Sequence, residues 1–357
     1  MRKCFIQIKL NTLFNAVYIS ATLKFQMKLI QIRNYLLLLV FYTLAHWPII
    51  LFYDARYWDD WSLYKANPET IINFFWQAGG PFSGYLHVAL QEVGWWTYPC
   101  LTFICFFVIV IAAYSILIRL GAGAYSAFWI SAFIAVMPAN YARIAAISLP
   151  STLLLLIFML SWLALLSLEL FRSGYRNAIR VLILVGFFIS FQVGSLIVFY
   201  ILPMASYLFM RWKMNEQKSI KKIIKFQLSI FDFMILPIVY WYISLAYAPK
   251  SGVFSSGYNM PQVSFSIIYK SLLGVVSDFA GVAGVGVGWG IVIGVILVVA
   301  SSQRAFRLFP IQDKNENWSP LTCGVVGLIV AYLSVFPYAA VGKFPSFSDW
   351  TLTRHQL

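Results

Sequence analysis

Long apolar runs recur along this chain, each bounded by charged residues, and they exclude most folds. They fall at 35–53, 98–118, 124–139, 150–171, 181–191, 194–209, 227–247, 281–301 and 321–337. A bilayer core takes about 20 apolar residues as a helix. Runs this continuous suit helices, not the alternating strands of a barrel. They are too many for one soluble core. Composition agrees: 61% of the residues are hydrophobic and 11% are charged, against roughly 25% charged in soluble domains. The chain reads as all-α, a polytopic integral membrane protein of about nine membrane segments, one pair forming a short hairpin.

Charge placement orients the spans. With the amino terminus inside, the predicted inner segments hold nineteen of the 26 lysines and arginines. The remaining seven are Arg56, Lys65, Arg143, Lys250, Lys270, Lys343 and Arg354. That bias follows the positive-inside rule. It also accounts for the net charge of +14 as topology and attraction to anionic lipid, so no nucleic-acid partner is expected. The expected location is the cytoplasmic membrane, which is the inner membrane of the cell, with the amino terminus cytoplasmic.

Region 181–209 tests the scheme. Arg180 and Arg211 bound about 29 mostly apolar residues, too many for one ordinary span and too few for two. Ser190, Gln192 and Ser195 interrupt the middle. A short helical hairpin with its tip inside the membrane depth fits; one long tilted helix would put Lys218 to Lys225 outside. Non-helical backbone at that depth needs a protein or water cavity.

Gly281, Gly284, Gly286, Gly288, Gly290 and Gly294 lie inside an apolar span with no following Lys-Ser/Thr pair. Close helix packing explains them better than a phosphate loop. Cys4, Cys100, Cys105 and Cys323 are scattered, as are His46, His87 and His355, so no Cys/His metal site is expected. His46 reads as a bonded core histidine. Residues 1–34 form a basic cytoplasmic segment without a recognisable cleavage site. Met27-Lys28 would serve as an ordinary start, making 1–26 an upstream extension; a basic amphipathic helix is the alternative.

The remaining domain, 35–357, has large outer loops. In loop 54–97, Pro68, Glu69 and Thr70 followed by Ile71, Ile72, Phe74 and Phe75 predict a capped amphipathic helix on the membrane. Gly79, Gly80 and Pro81 end it. Segment 264–278 also reads as interfacial. The first loop opens with Asp54, Arg56, Tyr57, Trp58, Asp59, Asp60 and Trp61 directly after span 1. Charges at a span end call for a reason, and the aromatics suit a headgroup belt. A carboxylate here can act as a general base. Asp59 and Asp60 diverge by about 100° on a helix, so one of them takes that role. Arg56, three and four residues earlier, reads as their counter-ion. Asn140, Tyr141 and Arg143 join the same face. So do Gln192 at the hairpin tip, Lys250, Tyr258 and Asn259. The carboxyl-terminal stretch 338–357 adds Lys343, Asp349, Arg354 and His355. Cations of this kind hold phosphate through charge-assisted hydrogen bonds.

These features together carry a family likeness. A first span followed at once by an Asp-Asp outer loop resembles bacterial membrane glycosyltransferases of the GT-C superfamily. So do the interfacial helices, the turn carrying Pro138, Asn140, Tyr141 and Arg143, and the hairpin around Ser190 and Gln192. The likeness is closest to O-antigen and cell-surface glycan types, and the stretch 342–356 looks like one found in such bacterial proteins. The resemblance implies a polyprenyl-phosphate-linked sugar as donor and an extracytoplasmic glycan or lipid as acceptor, with membrane lipids around both. It maps the base to Asp59 or Asp60, with Arg143, Lys343, Arg354 and His355 as candidate donor-phosphate contacts. Some members need a divalent metal and others do not. Such proteins continue through further helices, so the resemblance also implies a carboxyl-terminally truncated chain. Two other readings stand beside it: a transporter or flippase of lipid-linked glycans, and an O-antigen-type polymerase.

Overall fold

The computed structural model describes residues 29–56, 60–136, 145–214, 230–247 and 251–252, plus helical residues 266, 269–270, 273, 322, 324–330 and 333. Among the described residues the fold is all-helical, with no strand. Four helices are long and apolar enough to cross a membrane: Leu29–Leu51, Thr97–Arg119, Ala146–Leu166 and Gly194–Arg211. Ala124–Val136 and Phe231–Tyr247 are shorter and apolar. The expected span 281–301 and most of 321–337 lie outside the described residues, as does most of segment 264–278. The first of the four helices, α1 (Leu29–Leu51), shows why lipid suits this fold. Its exposed stripe is Leu36, Val40, Leu44, Trp47 and Leu51, while Asn34, Leu38, Tyr42 and His46 are buried. A helix in water shows the reverse arrangement.

The first loop builds three short helices: α2 (Asp60–Leu63), α3 (Pro68–Gln77) and α4 (Pro81–Val93). The capped helix expected after Pro68 is present. Asn67 is its N-cap, and its side chain accepts from the Glu69 N–H. Gly79 takes φ +79°, a left-handed value that L side chains resist, and the chain turns back into α4. The two helices pack closely at Gly84, where a Cβ would lie 3.0 Å from the Ile72 Cα.

The helix α5 (Thr97–Arg119) then runs antiparallel to α1. Asn34 Nδ2 donates to Tyr114 Oη at 2.9 Å, and Tyr42 Oη donates to the Phe103 carbonyl at 2.7 Å. In lipid such bonds and side-chain packing hold helices together, at about 0.6 kcal/mol per bond. The helix α6 (Ala124–Val136) packs Phe128 into the same core, beside Leu38, Tyr42 and Tyr114. A 3-10 turn, Ala146–Ser148, leads into α7 (Leu149–Leu166).

The expected hairpin follows as α8 (Ser173–Ser190), α9 (Gly194–Phe199) and α10 (Ile201–Met214). The first limb starts earlier than the apolar run, because Arg176 and Arg180 are carried on its opening turns. Phe191, Gln192 and Val193 make the turn. Arg176 and Arg211 both meet Glu169, at 3.3 and 2.9 Å. One straight helix would set those arginines about 50 Å apart at 1.5 Å per residue. The chain therefore doubles back. Phe158 packs edge-on to Phe187, a register that sets Phe191 level with residue 154. The tip thus stops about 12 Å short of Ala146. A buried cluster of Phe158, Phe187, Phe191, Tyr200 and Phe233 closes this half. The last described long helix, α11 (Phe231–Tyr247), runs parallel to α8, with Asp232 bonded to Arg180 and Tyr240 against Phe188.

The bundle therefore has two unlike ends. One gathers Arg33, Arg119, Glu169, Arg176, Arg180, Arg211 and Asp232. The other carries the first loop, the Ala146–Ser148 turn and Ser251, whose N–H donates to the Gln77 carbonyl at 3.0 Å.

Candidate functional site

The helix α2 is one turn long, yet it is fixed from two sides. Leu63 is buried, and Gln91 of α4 donates to its carbonyl at 2.7 Å. Lys65 then takes φ +59° to redirect the chain toward α3. This leaves Asp60, the first residue of α2, pointing into the bundle with 1% exposure. Its Oδ1 accepts from the Ile147 N–H at 3.0 Å. That N–H belongs to the opening turn of the Ala146–Leu166 helix, where backbone donors lack helical partners and the helix dipole is positive. A carboxylate is well matched to that position.

Beside Asp60 is a small cavity lined by Ile49, Phe52, Ala55, Trp95, Tyr98 and Ala146, among others. About 10 Å³ of it is open to the centre of a water-sized sphere, room for about one water or one hydroxyl. Behind it lies a second buried polar group. His87 of α4 is fully buried, stacked between Phe75 and Tyr98. Its Nδ1 lies 3.1 Å from the Tyr98 hydroxyl, which also donates to the His87 carbonyl. Burial pushes the imidazole down to about 4, against a smaller upward pull from the Ile147 carbonyl. His87 is therefore neutral near pH 7. The Ile147 N–H serves Asp60.

Arg56 lies on the cavity's outer side. Its guanidinium is centred 3.7 Å from the Tyr64 ring, with Trp61 and Trp95 at 5.6 and 5.8 Å. It pairs with Asp54 at 3.0 Å; Asp59, one of the two partners that the helical spacing suggested, lies outside the described residues. The helix α1 ends at Leu51, and residues 55–56 are not helical.

Of the residues singled out in the sequence, Asp60 is described and buried in this site. Asp59, Arg143, Lys343, Arg354 and His355 lie outside the described residues, as does the turn 138–143. Among the described residues, no group of three or more His, Cys, Asp or Glu side chains is arranged to hold a metal ion. His46 is buried against the Tyr42 ring, as expected of a core histidine. Sequence reasoning missed His87, Tyr98 and the Ile147 N–H. The one available signal was His87 itself, an imidazole on the inward face of a short amphipathic helix.

Comparison with family models, with characterised proteins and with solved structures finds no match to this chain.

Proposed function

We propose that the chain is a membrane glycosyltransferase that moves a sugar from a polyprenyl-phosphate carrier to a glycan or lipid acceptor at the loop-bearing face. The observation that carries this reading is Asp60: a fully buried carboxylate in the loop that follows the first membrane helix, fixed by Ile147 and open to a hydroxyl-sized cavity. A buried charge at a span end is costly without a role. In the proposed step the acceptor hydroxyl enters the cavity and its oxygen attacks the anomeric carbon. The new C–O bond forms as the bond to the carrier phosphate breaks. The proton passes to Asp60, and the phosphate leaves with the bonding electrons. Attack opposite the leaving group inverts the anomeric centre and needs no second carboxylate. His87, being neutral, adds no positive charge beside Asp60 and so leaves the carboxylate available as a base. The membrane is proposed to be the cytoplasmic one, with the loop face outward.

A carrier would instead place ionisable groups along a path through the spans. Glu169, Arg176, Arg180, Arg211 and Asp232 gather at the far end and pair with one another. Mass spectrometry of surface glycans from cells with and without the gene tests the proposal. A sugar substituent missing from the deletion strain, and restored by the gene, is the expected result. Identical glycans would overturn it.

A further inference from the structure

Arg56 stands out by how it is held and what it leaves unbonded. Its side chain is 17% exposed, yet among the described residues the buried Nε–H has no hydrogen-bond partner. Three rings, Tyr64, Trp61 and Trp95, fix the plane of the guanidinium. Such contacts keep an arginine charged and preorganised. Asp54 binds through one oxygen to one terminal nitrogen and is itself 68% exposed. An exposed pair of this kind is worth little, since water replaces either partner readily. The fork of an arginine matches phosphate through two parallel N–H bonds, and Asp54 uses one nitrogen of it. The location fits an anion too. Arg56 follows a helix long and apolar enough to cross a membrane, and the Trp and Tyr rings around it are residue types that favour headgroup depth. It also adjoins the Asp60 cavity: Ala55 and Trp95 line that cavity, and Trp95 packs on Tyr64 beneath the guanidinium.

We propose that the Arg56 cage is an anion subsite for the phosphate group of a ligand at the membrane surface, with Asp54 holding the position until that phosphate displaces it. The transferase reading enters at one point, by making this phosphate the donor's.

The test is calorimetric titration of the purified full chain in neutral detergent. Four probes are farnesyl phosphate, farnesol, dioctanoyl phosphatidic acid and inorganic phosphate. Farnesyl phosphate is expected to bind at least tenfold tighter than farnesol. Arg56→Gln should weaken it about tenfold or more, and Arg56→Lys, which keeps the charge without the fork, by less. Asp54→Asn should bind as well as the parent or better. Equal binding of phosphatidic acid would identify a general lipid phosphate, and binding of inorganic phosphate alone a free one; either supports the subsite if Arg56→Gln abolishes it. Parent-like affinity in monodisperse Arg56→Gln and Arg56→Lys chains would overturn it, as would failure of all three phosphates to bind. The two proposals fail separately. If Asp60→Asn transfers sugar normally while Arg56→Gln loses farnesyl phosphate, the base assignment falls and the subsite stands. The opposite pattern removes the subsite and leaves the base.

Discussion

At the residue scale, buried polar groups decide most of what can be tested. Asp60 is both a cap and a candidate base, and substitution separates the two roles. Asparagine keeps an oxygen for the Ile147 N–H but cannot take a proton. Alanine leaves that N–H without its acceptor, at about 1–3 kcal/mol. Asp60→Ala should therefore lower the thermal stability of the detergent-solubilised chain, whereas Asp60→Asn should change it little; equal losses would mean the cap depends on charge. His87 gives a pH prediction. Its folded value of about 4 lies below the ordinary histidine value, so its contribution is present above about pH 6.5. That contribution is lost as pH falls toward the folded value, because the unfolded chain takes up the proton first. At most about 3 kcal/mol is involved, at 1.36 kcal/mol per pKa unit. Hydrogen-exchange protection factors of residues 68–93, taken against the intrinsic exchange rate at each pH, should fall between pH 6.5 and 4.5. His87→Phe, which keeps a ring between Phe75 and Tyr98, should flatten that dependence. A variant with the parent's pH profile would assign the effect elsewhere.

At the element scale, the hairpin rests on packing more than on charge. The Glu169 pairs with Arg176 and Arg211 are 28–40% exposed, so each is worth no more than about 1 kcal/mol. Gly186 of α8 sits against α7, where a Cβ would come within hard contact of Ser161 Oγ. The serine can rotate for an alanine, but not for a larger side chain. Gly186→Leu should cost about 1–3 kcal/mol or more through overpacking, and should lower the melting temperature further than Glu169→Gln. The reverse order would show that the ion pairs hold the hairpin. The hairpin was legible because its length fitted neither one span nor two, and arginines marked both ends. The helix α3 was legible from local chemistry, Pro68, Glu69 and Thr70 ahead of an apolar stripe, though its cap, Asn67, was not singled out. The Asp60 contact was not, since its partner is a backbone N–H 87 residues away and backbone donors leave no residue-type signature.

At the scale of the whole molecule, the fold separates a loop-bearing end, with Asp60, Arg56 and His87, from an end rich in arginine. Trp61 and Tyr175 are exposed at these opposite ends. In a cysteine-depleted chain, Trp61→Cys should react with a membrane-impermeant thiol reagent from outside intact cells, and Tyr175→Cys after the cytoplasmic side is opened. Labelling of both from one side would contradict the arrangement. Helical class and several spans were plain from the apolar runs, because lipid imposes a length on every crossing helix. The convergence of distant polar groups was not plain, because it depends on how the helices pack. Asp60 is the one sequence candidate among the described residues, and it proved to be buried.

The most direct measurement is sugar transfer from a radiolabelled polyprenyl-phosphate sugar in membranes carrying either the parent chain or Asp60→Asn, with both chains verified as inserted and monodisperse on extraction. The expected result is loss of transfer by at least a hundredfold, the lower range for a general base, with the variant as stable as the parent. Undiminished transfer by a stable Asp60→Asn chain would contradict it and leave Asp60 as the cap of the Ala146–Leu166 helix.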